Sequence, residues 1–300
     1  MACAKVTQVK GALLPPGQLI GCVAALALLS ACAGDGDLVT FTNANQARPE
    51  TIEAYLSKPE GPGPFPAVML FHGCTGLGKA KNGASWRGAN RHAAVLRSAG
   101  FVSLIVDSHG SRGIGLPEAW VTSCIEGKGF TERTDDAFGA LDFLEGLPYV
   151  ARGKVAAVGF SQGGAVVMRL LGGYQGRTRG QRFAAGVAYY PACSGWAVGN
   201  ATAYHVPLLI FMGSKDKGAD SCRFRVEEAK RRADYEGGIL PELVIYEGAY
   251  HAFDMPVRVQ GTPIGMVASD PGALRDSQRR MVEFLKKHFE GLGPHTEEVD

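Results

Sequence analysis

The feature that most narrows how this chain can fold is the run Gly159-Phe160-Ser161-Gln162-Gly163-Gly164. Residues 155–160 lead into it as a short apolar run, and residues 165–171 lead out of it with helical composition. A serine between strand and helix, with glycines two residues before and after it, has the spacing of a G-x-S-x-G elbow. The glycines answer a steric need, because at so tight a turn larger side chains would strike the neighbouring backbone. The turn sets Ser161 Oγ at the carboxyl edge of a sheet, beside the positive end of the following helix.

The rest of the chain supplies the sheet that such an elbow requires. Residues 67–71, 102–106, 155–160, 185–190, 208–212 and 243–246 read as buried strands bounded by Gly, Pro or Asp. Between them lie helical patterns at 86–98, 134–145 and 222–236, each stopping at a glycine. A last helix is expected from Asp270 as N-cap and Pro271 at its first position, with Leu274, Met281, Phe284 and Leu285 on one apolar face. Alternation of this kind predicts an α/β domain, a mainly parallel sheet covered on both faces by helices. No internal repeat or second composition regime breaks the span 49–290, so one domain accounts for it. Residues 108–130 depart from the rhythm. They are glycine-rich, carry Trp120 and Cys124, and are long for a connection, which predicts a cap or substrate-facing loop with Trp120 as a candidate contact. The end, 291–300, has the composition of a disordered tail.

The N-terminus follows a different logic. Lys5 and Lys10 precede an uncharged stretch whose apolar heart spans 19–31, interrupted in front by Pro15-Pro16-Gly17. A basic start, a short apolar core and small residues describe an export signal over 1–31, too short for a comfortable membrane span. Leu29-Ser30-Ala31-Cys32 resembles the lipobox of bacterial lipoproteins, which implies a diacylglyceryl group on Cys32, residues 32–48 as a tether, and a periplasmic membrane face as the location. Ala31-Cys32-Ala33 also fits an A-x-A site for ordinary secretion, so two processing routes stay open. Cys74, Cys124, Cys193 and Cys222 remain outside the signal, an even set that predicts two disulfides in an exported chain, with three pairings possible. With 31 basic against 29 acidic residues and no basic stretch above that background, a nucleic-acid surface is not expected.

A serine hydroxyl needs a base, and the base needs an orienting acid. His251 follows the 243–246 strand late in the chain, and Asp216 follows the 208–212 strand. Asp220, four residues on, is the rival acid, while Asp254 beside His251 reads as loop structure. His92 falls within a helix pattern, and His109 in the long loop could face substrate. No two histidines have a metal-ligand spacing, and neither a metal nor a cofactor is expected.

Together, His72-Gly73-Cys74, Val106-Asp107-Ser108, Gly159 to Gly163, Tyr190-Pro191-Ala192-Cys193, Gly213 to Asp216 and Ala249-Tyr250-His251-Ala252-Phe253 resemble the dienelactone hydrolase family, over roughly residues 50–290. The resemblance implies an α/β-hydrolase fold without a large helical lid, a Ser161–His251–Asp216 triad in the chain order of that fold, and an oxyanion hole from the backbone N–H groups of Cys74 and Gln162. It implies a small-molecule ester as substrate, cleaved through an acyl-enzyme, with a peptidase, a thioesterase or a non-catalytic binding lipoprotein as alternatives. Two positions depart from the family. Its members use a cysteine where Ser161 stands, and they grip a substrate carboxylate with two arginines. Arg112 matches the first arginine, and Met255 occupies the place of the second. The fold also brings the strands before Cys74 and before the 108–130 loop together, and likewise those before Cys193 and Cys222, which implies bridges Cys74–Cys124 and Cys193–Cys222.

Overall fold

The computed structural model describes residues 36–78, 83–115, 118–172, 182–198, 203–236 and 238–290. The expected signal segment, Cys32 and the tail 291–300 lie outside the described residues. One eight-stranded sheet is built from β1 (Asp37–Thr42), β2 (Thr51–Ser57), β3 (Phe65–Phe71), β4 (Val102–Asp107), β5 (Val150–Phe160), β6 (Ala185–Tyr189), β7 (Leu208–Gly213) and β8 (Glu242–Tyr246). Its order is β1-β2-β4-β3-β5-β6-β7-β8. The pairs from β4 through β8 are parallel, whereas β1–β2 and β2–β4 are antiparallel. Every residue of β4, β6 and β7 is buried, and apart from Ser103 and the terminal Asp107 of β4 their residues are mostly apolar, as expected of strands covered on both faces.

Helices α1 (Ala84–Ser98) and α6 (Pro271–Glu290) pack against each other and on β3, β4, β6 and β7, while α2 (Phe130–Glu145) and α3 (Gln162–Leu171) pack together on β3 and β5. Asp270 caps α6 as its sequence predicts, its Oδ1 accepting from the N–H groups of Gly272 and Ala273, both at 2.9 Å. Met281, Phe284 and Leu285 are buried under it. The short α4 (Gly195–Val198), α5 (Ala219–Glu236) and a hairpin of β9 (Gln260–Thr262) with β10 (Gly265–Val267) complete the domain. The 108–130 stretch holds a 3₁₀ turn, Gly110–Arg112, and a π-helical turn, Trp120–Ile125.

The N-terminal boundary differs from expectation. Residues 37–42, expected within a tether ending at 48, form the edge strand β1, paired with β2 from Asp37↔Leu56 to Thr42↔Thr51. Phe41 is its one buried side chain, so the strand lacks the apolar run that marks its neighbours. Asn43 then anchors the turn, its side chain accepting from the Glu50 N–H at 3.0 Å and donating to Glu50 and Asp136 carboxylates. The folded domain therefore starts near residue 37, not 49.

The sheet order fixes where a site can form. The chain runs from β3 outward to β4, then returns across β3 to start β5. The carboxyl ends of β3 and β5, paired up to Phe71↔Gly159, are thus neighbours whose connections leave in opposite directions. Such a switch point opens a crevice at the sheet edge.

Candidate active site

Ser161 sits at that switch point with φ 54° and ψ −114°, a backbone conformation that costs a non-glycine residue about 1–3 kcal/mol. The surrounding packing holds it there. The Ser161 N–H donates to Tyr189 O at 2.9 Å, and Ala165 N–H to Ser161 O at 3.1 Å. A Cβ at Gly159 would collide with the Gly163 carbonyl, and one at Gly163 with the carbonyls of Phe71 and His72, so the elbow can close against β3 only with glycine at both positions.

The partners arrive from the loops after β7 and β8. His251 Nε2 lies 3.0 Å from Ser161 Oγ, and its Nδ1 lies 2.6 Å from Asp216 Oδ2. Because an ionised carboxylate only accepts, Nδ1 carries the proton and Nε2 is left to accept from the serine hydroxyl. Asp216 Oδ1 in turn accepts from the Gly218 N–H at 2.8 Å. The rival Asp220 is fully solvent-exposed, and its one ion pair among the described residues is with Arg223 on its own helix, at 3.9 Å. Asp216 is the acid that the fold brings to His251.

Three residues that sequence reasoning did not assign to the site hold His251 in place. The Tyr190 ring packs edge-on against the imidazole with centroids 4.7 Å apart. The Tyr190 hydroxyl donates to Asp254 Oδ1, and His92 Nε2 bonds Asp254 Oδ2 at 2.8 Å, all three side chains being buried. Burial, and then the nearby Asp254 charge, raise the Tyr190 phenol well above its usual range, so it stays a donor. The hairpin supports the other side, with Ala268 N–H donating to His251 O at 3.3 Å beside a bridge to Val267.

The loop after β3 places Gly73 against the serine: a Cβ there would stand 3.5 Å from Ser161 Cβ. Gln162 is the first residue of α3, so its N–H has no acceptor within the helix. The Cys74 N–H also has no acceptor among the described hydrogen bonds. Both amides belong to segments that meet at Ser161. Disulfides join Cys74 to Cys124 and Cys193 to Cys222. His72 and His109 are both buried. Burial first, and then Arg133, hold His109 down at about 3, and the same two causes keep His72 well below its usual value, so both rings are neutral. His109 Nε2 engages Cys74 O at 3.1 Å and Ser123 Oγ at 2.9 Å, which removes it from the substrate side.

In front of Ser161 lies a cleft of about 310 Å³ whose walls include Leu77, Ala89, Phe160, Met255, Ile264 and Val267. Among its described lining residues there is no lysine or arginine. Arg112, expected to meet a substrate carboxylate, does not line it. Its guanidinium binds Asp136 with two N–H groups at 2.8 Å, Glu50 at 2.5 and 3.1 Å, and the Ser108 carbonyl at 2.8 Å. Burial pulls its pKa down, but Asp136 and then Glu50 outweigh that and raise it. Two internal carboxylates claim its donors, so Arg112 ties α2 to the β1–β2 turn and is no substrate ligand. The Trp120 side chain lies outside the described residues. No cluster of three metal-ligating side chains occurs among the described residues.

The family's sequence model, described as the dienelactone hydrolase family, matches residues 52–289. The chain belongs to that family. Among solved structures, this family member is similar to a dienelactone hydrolase from Anabaena variabilis, at TM-score 0.57 and 17% identity over 85% of this chain and 99% of that one. It is also similar to esterase 2 of Thermogutta terrifontis, phosphorylated by paraoxon, at TM-score 0.61 and 17% identity over 85% and 95% of the two chains. A third is a dienelactone hydrolase-like promiscuous phosphotriesterase from metagenomic libraries, at TM-score 0.59 and 21% identity over 84% and 98%. No curated protein matches the chain. The fold is that of the α/β-hydrolases, and the family makes this chain a hydrolase.

Proposed function

We propose that this hydrolase cleaves carboxylic esters of small, uncharged, apolar acyl groups through a covalent acyl-enzyme on Ser161. The observation that carries the reading is the unbroken chain of hydrogen-bonding distances, 3.0 Å from Ser161 to His251 and 2.6 Å from His251 to Asp216, at the wall of an apolar cleft. His251 Nε2 takes the hydroxyl proton as Ser161 Oγ attacks the carbonyl carbon, and Asp216 stabilises the imidazolium. The N–H groups of Cys74 and Gln162 receive the developing oxyanion, each contributing on the order of 3 kcal/mol to the barrier reduction. The imidazolium returns its proton to the departing alkoxide, and water activated by the same histidine then releases the acid. The apolar walls and the engaged Arg112 favour neutral substrates over the carboxylate-bearing lactone of the family name. Paraoxon phosphorylates an esterase of similar fold, which is the reactivity this reading expects at Ser161.

The test is fluorophosphonate labelling beside turnover of a panel of aryl esters, thioesters and peptide amides. Labelling at Ser161, ester turnover, and loss of both in Ser161→Ala by roughly 10⁴-fold or more are expected. A folded chain that refuses the probe would point to a binding protein, and faster thioester or amide turnover would move the substrate class. The two disulfides favour an oxidising compartment, and we place the enzyme outside the cytoplasm, anchored by lipid on Cys32. Fatty-acid labelling that is absent at Cys32 would leave simple secretion.

A further inference from the structure

The two oxyanion donors come from segments far apart in sequence, the loop after β3 and the first turn of α3. Their spacing must nevertheless be held to a few tenths of an ångström for both to reach one oxygen. Glycine packing sets the backbones close but supplies no hydrogen bond between them, and one side chain does. Arg133, in the first turn of α2 and 1% exposed, donates from Nη2 to the carbonyl of His72 at 2.5 Å and from Nη1 to the side-chain Oε1 of Gln162 at 2.6 Å. We infer that Arg133 is a positioning residue for the oxyanion hole, a fork that fixes the Cys74 and Gln162 amides relative to one another. The inference rests on the acyl-transfer reading above.

The connections around the fork form a closed circuit. Gln162 Nε2 donates onward to the carbonyls of Ser123 and Lys128, each at 3.1 Å. Ser123 precedes Cys124, whose disulfide returns to Cys74, two residues from the His72 carbonyl that Arg133 holds. His109 Nε2 spans the circuit, touching Cys74 O and Ser123 Oγ. Each element carrying a donor is therefore tied to the 108–130 loop and to α2. A planar guanidinium suits the fork, because its N–H groups diverge at a fixed angle toward two acceptors; an ammonium is a point that meets one acceptor well. Burial, partly offset by Asp136, brings the guanidinium down to about 10, which leaves it charged at neutral pH. Among the described residues no carboxylate lies within ion-pair distance of it, and its charge stands against the His72 carbonyl and the Gln162 side-chain oxygen.

Arg133→Lys keeps the charge and loses the fork. It is expected to lower kcat for an aryl ester roughly 100-fold with KM within twofold, the size of losing one oxyanion donor. The same variant should weaken a trifluoromethyl ketone, whose adduct with Ser161 places an oxyanion in the hole, by a similar factor, while a methyl ketone that stays unattacked binds unchanged. Gln162→Met breaks the other arm of the fork, and the double variant should be no worse than the poorer single variant within threefold, since both remove one device. Circular dichroism and thermal melting establish that each variant is folded, and where one is not, the other carries the test. A folded Arg133→Lys with kcat within threefold of the parent, equal loss on both ketones, additive losses in the double variant, or unfolding of both variants would assign Arg133 to stability alone and overturn the inference. A parent protein that turns over no ester fails the earlier reading instead, which keeps the two failures separate.

Discussion

On the β6–β8 side of Ser161, the proposed base and its orienting acid are side chains on short loops, each pinned by a neighbour: His251 by Tyr190 and the hairpin, Asp216 by the Gly218 amide. On the β3–β5 side, the groups that would receive negative charge are backbone amides, and side chains enter only behind them, as the buried layer of His72, His109, Arg133 and Gln162. Each side carries one disulfide, Cys193–Cys222 on the first and Cys74–Cys124 on the second. The two sides fail differently. Proton transfer depends on the identity of single residues, so one substitution abolishes it. An oxyanion hole depends on where the backbone stands, so it loosens when a support is removed.

The sharpest break in that comparison lies at the acid. Asp216→Asn keeps the shape of the carboxylate but no longer fixes the His251 tautomer or balances its charge, and a fall in kcat of about 10⁴-fold is expected. Asp220→Asn, at a solvent-exposed position remote from His251, should leave kcat within twofold. Steady-state kinetics on one aryl ester decides it, and a large loss at Asp220 would refute the geometry of the β7 loop.

The next largest effect concerns the disulfides and separates the two sides by stability and rate together. Loss of chain entropy in the unfolded state gives about 4 kcal/mol for a bridge closing 50 residues and about 3.5 kcal/mol for one closing 29. Urea denaturation of the Cys74→Ser/Cys124→Ser and Cys193→Ser/Cys222→Ser pairs should therefore return similar costs. Rates should not match. The first pair frees the Cys74 loop and should lower kcat at least tenfold, whereas the second leaves every hydrogen bond of Asp216 in place and should hold kcat within threefold. Equal losses of kcat would mean that the supports of the two sides are not separable.

The same contrast explains what could be read from residues alone. Ser161, His251 and Asp216 were legible because chemistry fixes their identity and the fold fixes their order after successive strands. The parallel strands were legible because burial on both faces favours short, mostly apolar runs. The positions missed answer to other rules. β1 has one buried side chain and so no run to see. Arg133 precedes the helical pattern at 134–145 and carries no motif; only the fold, which brings the start of α2 to both segments, gives it two acceptors. Arg112 stands where the family places a substrate ligand, but Glu50 and Asp136, 62 and 24 residues away, take its hydrogen bonds. Tyr190, just before Pro191, and Asp254, three residues after His251, could have been suspected from their places in those loops, yet their partnership spans 64 residues.

Acid should find the oxyanion side before it finds the carboxylates of the fold, and the sign follows from burial. His109 is held at about 3 in the folded chain, against about 6.5 when unfolded, first by burial and then by Arg133. Above pH 6.5 both states are neutral and the residue contributes nothing to the slope. Below it the unfolded chain takes up a proton that the folded chain refuses, so stability falls by up to about 1.4 kcal/mol per pH unit until pH 3, or about 2 kcal/mol by pH 5. His72, depressed in the same direction, adds to the slope. His109→Gln removes one titrating group and can keep a donor to Cys74 O. Urea midpoints between pH 7 and 5 should then fall less steeply than in the parent, in a range where most exposed carboxylates remain ionised. Superimposable slopes for parent and variant would show that His109 takes up its proton in the fold, and that the layer behind Cys74 is open to water.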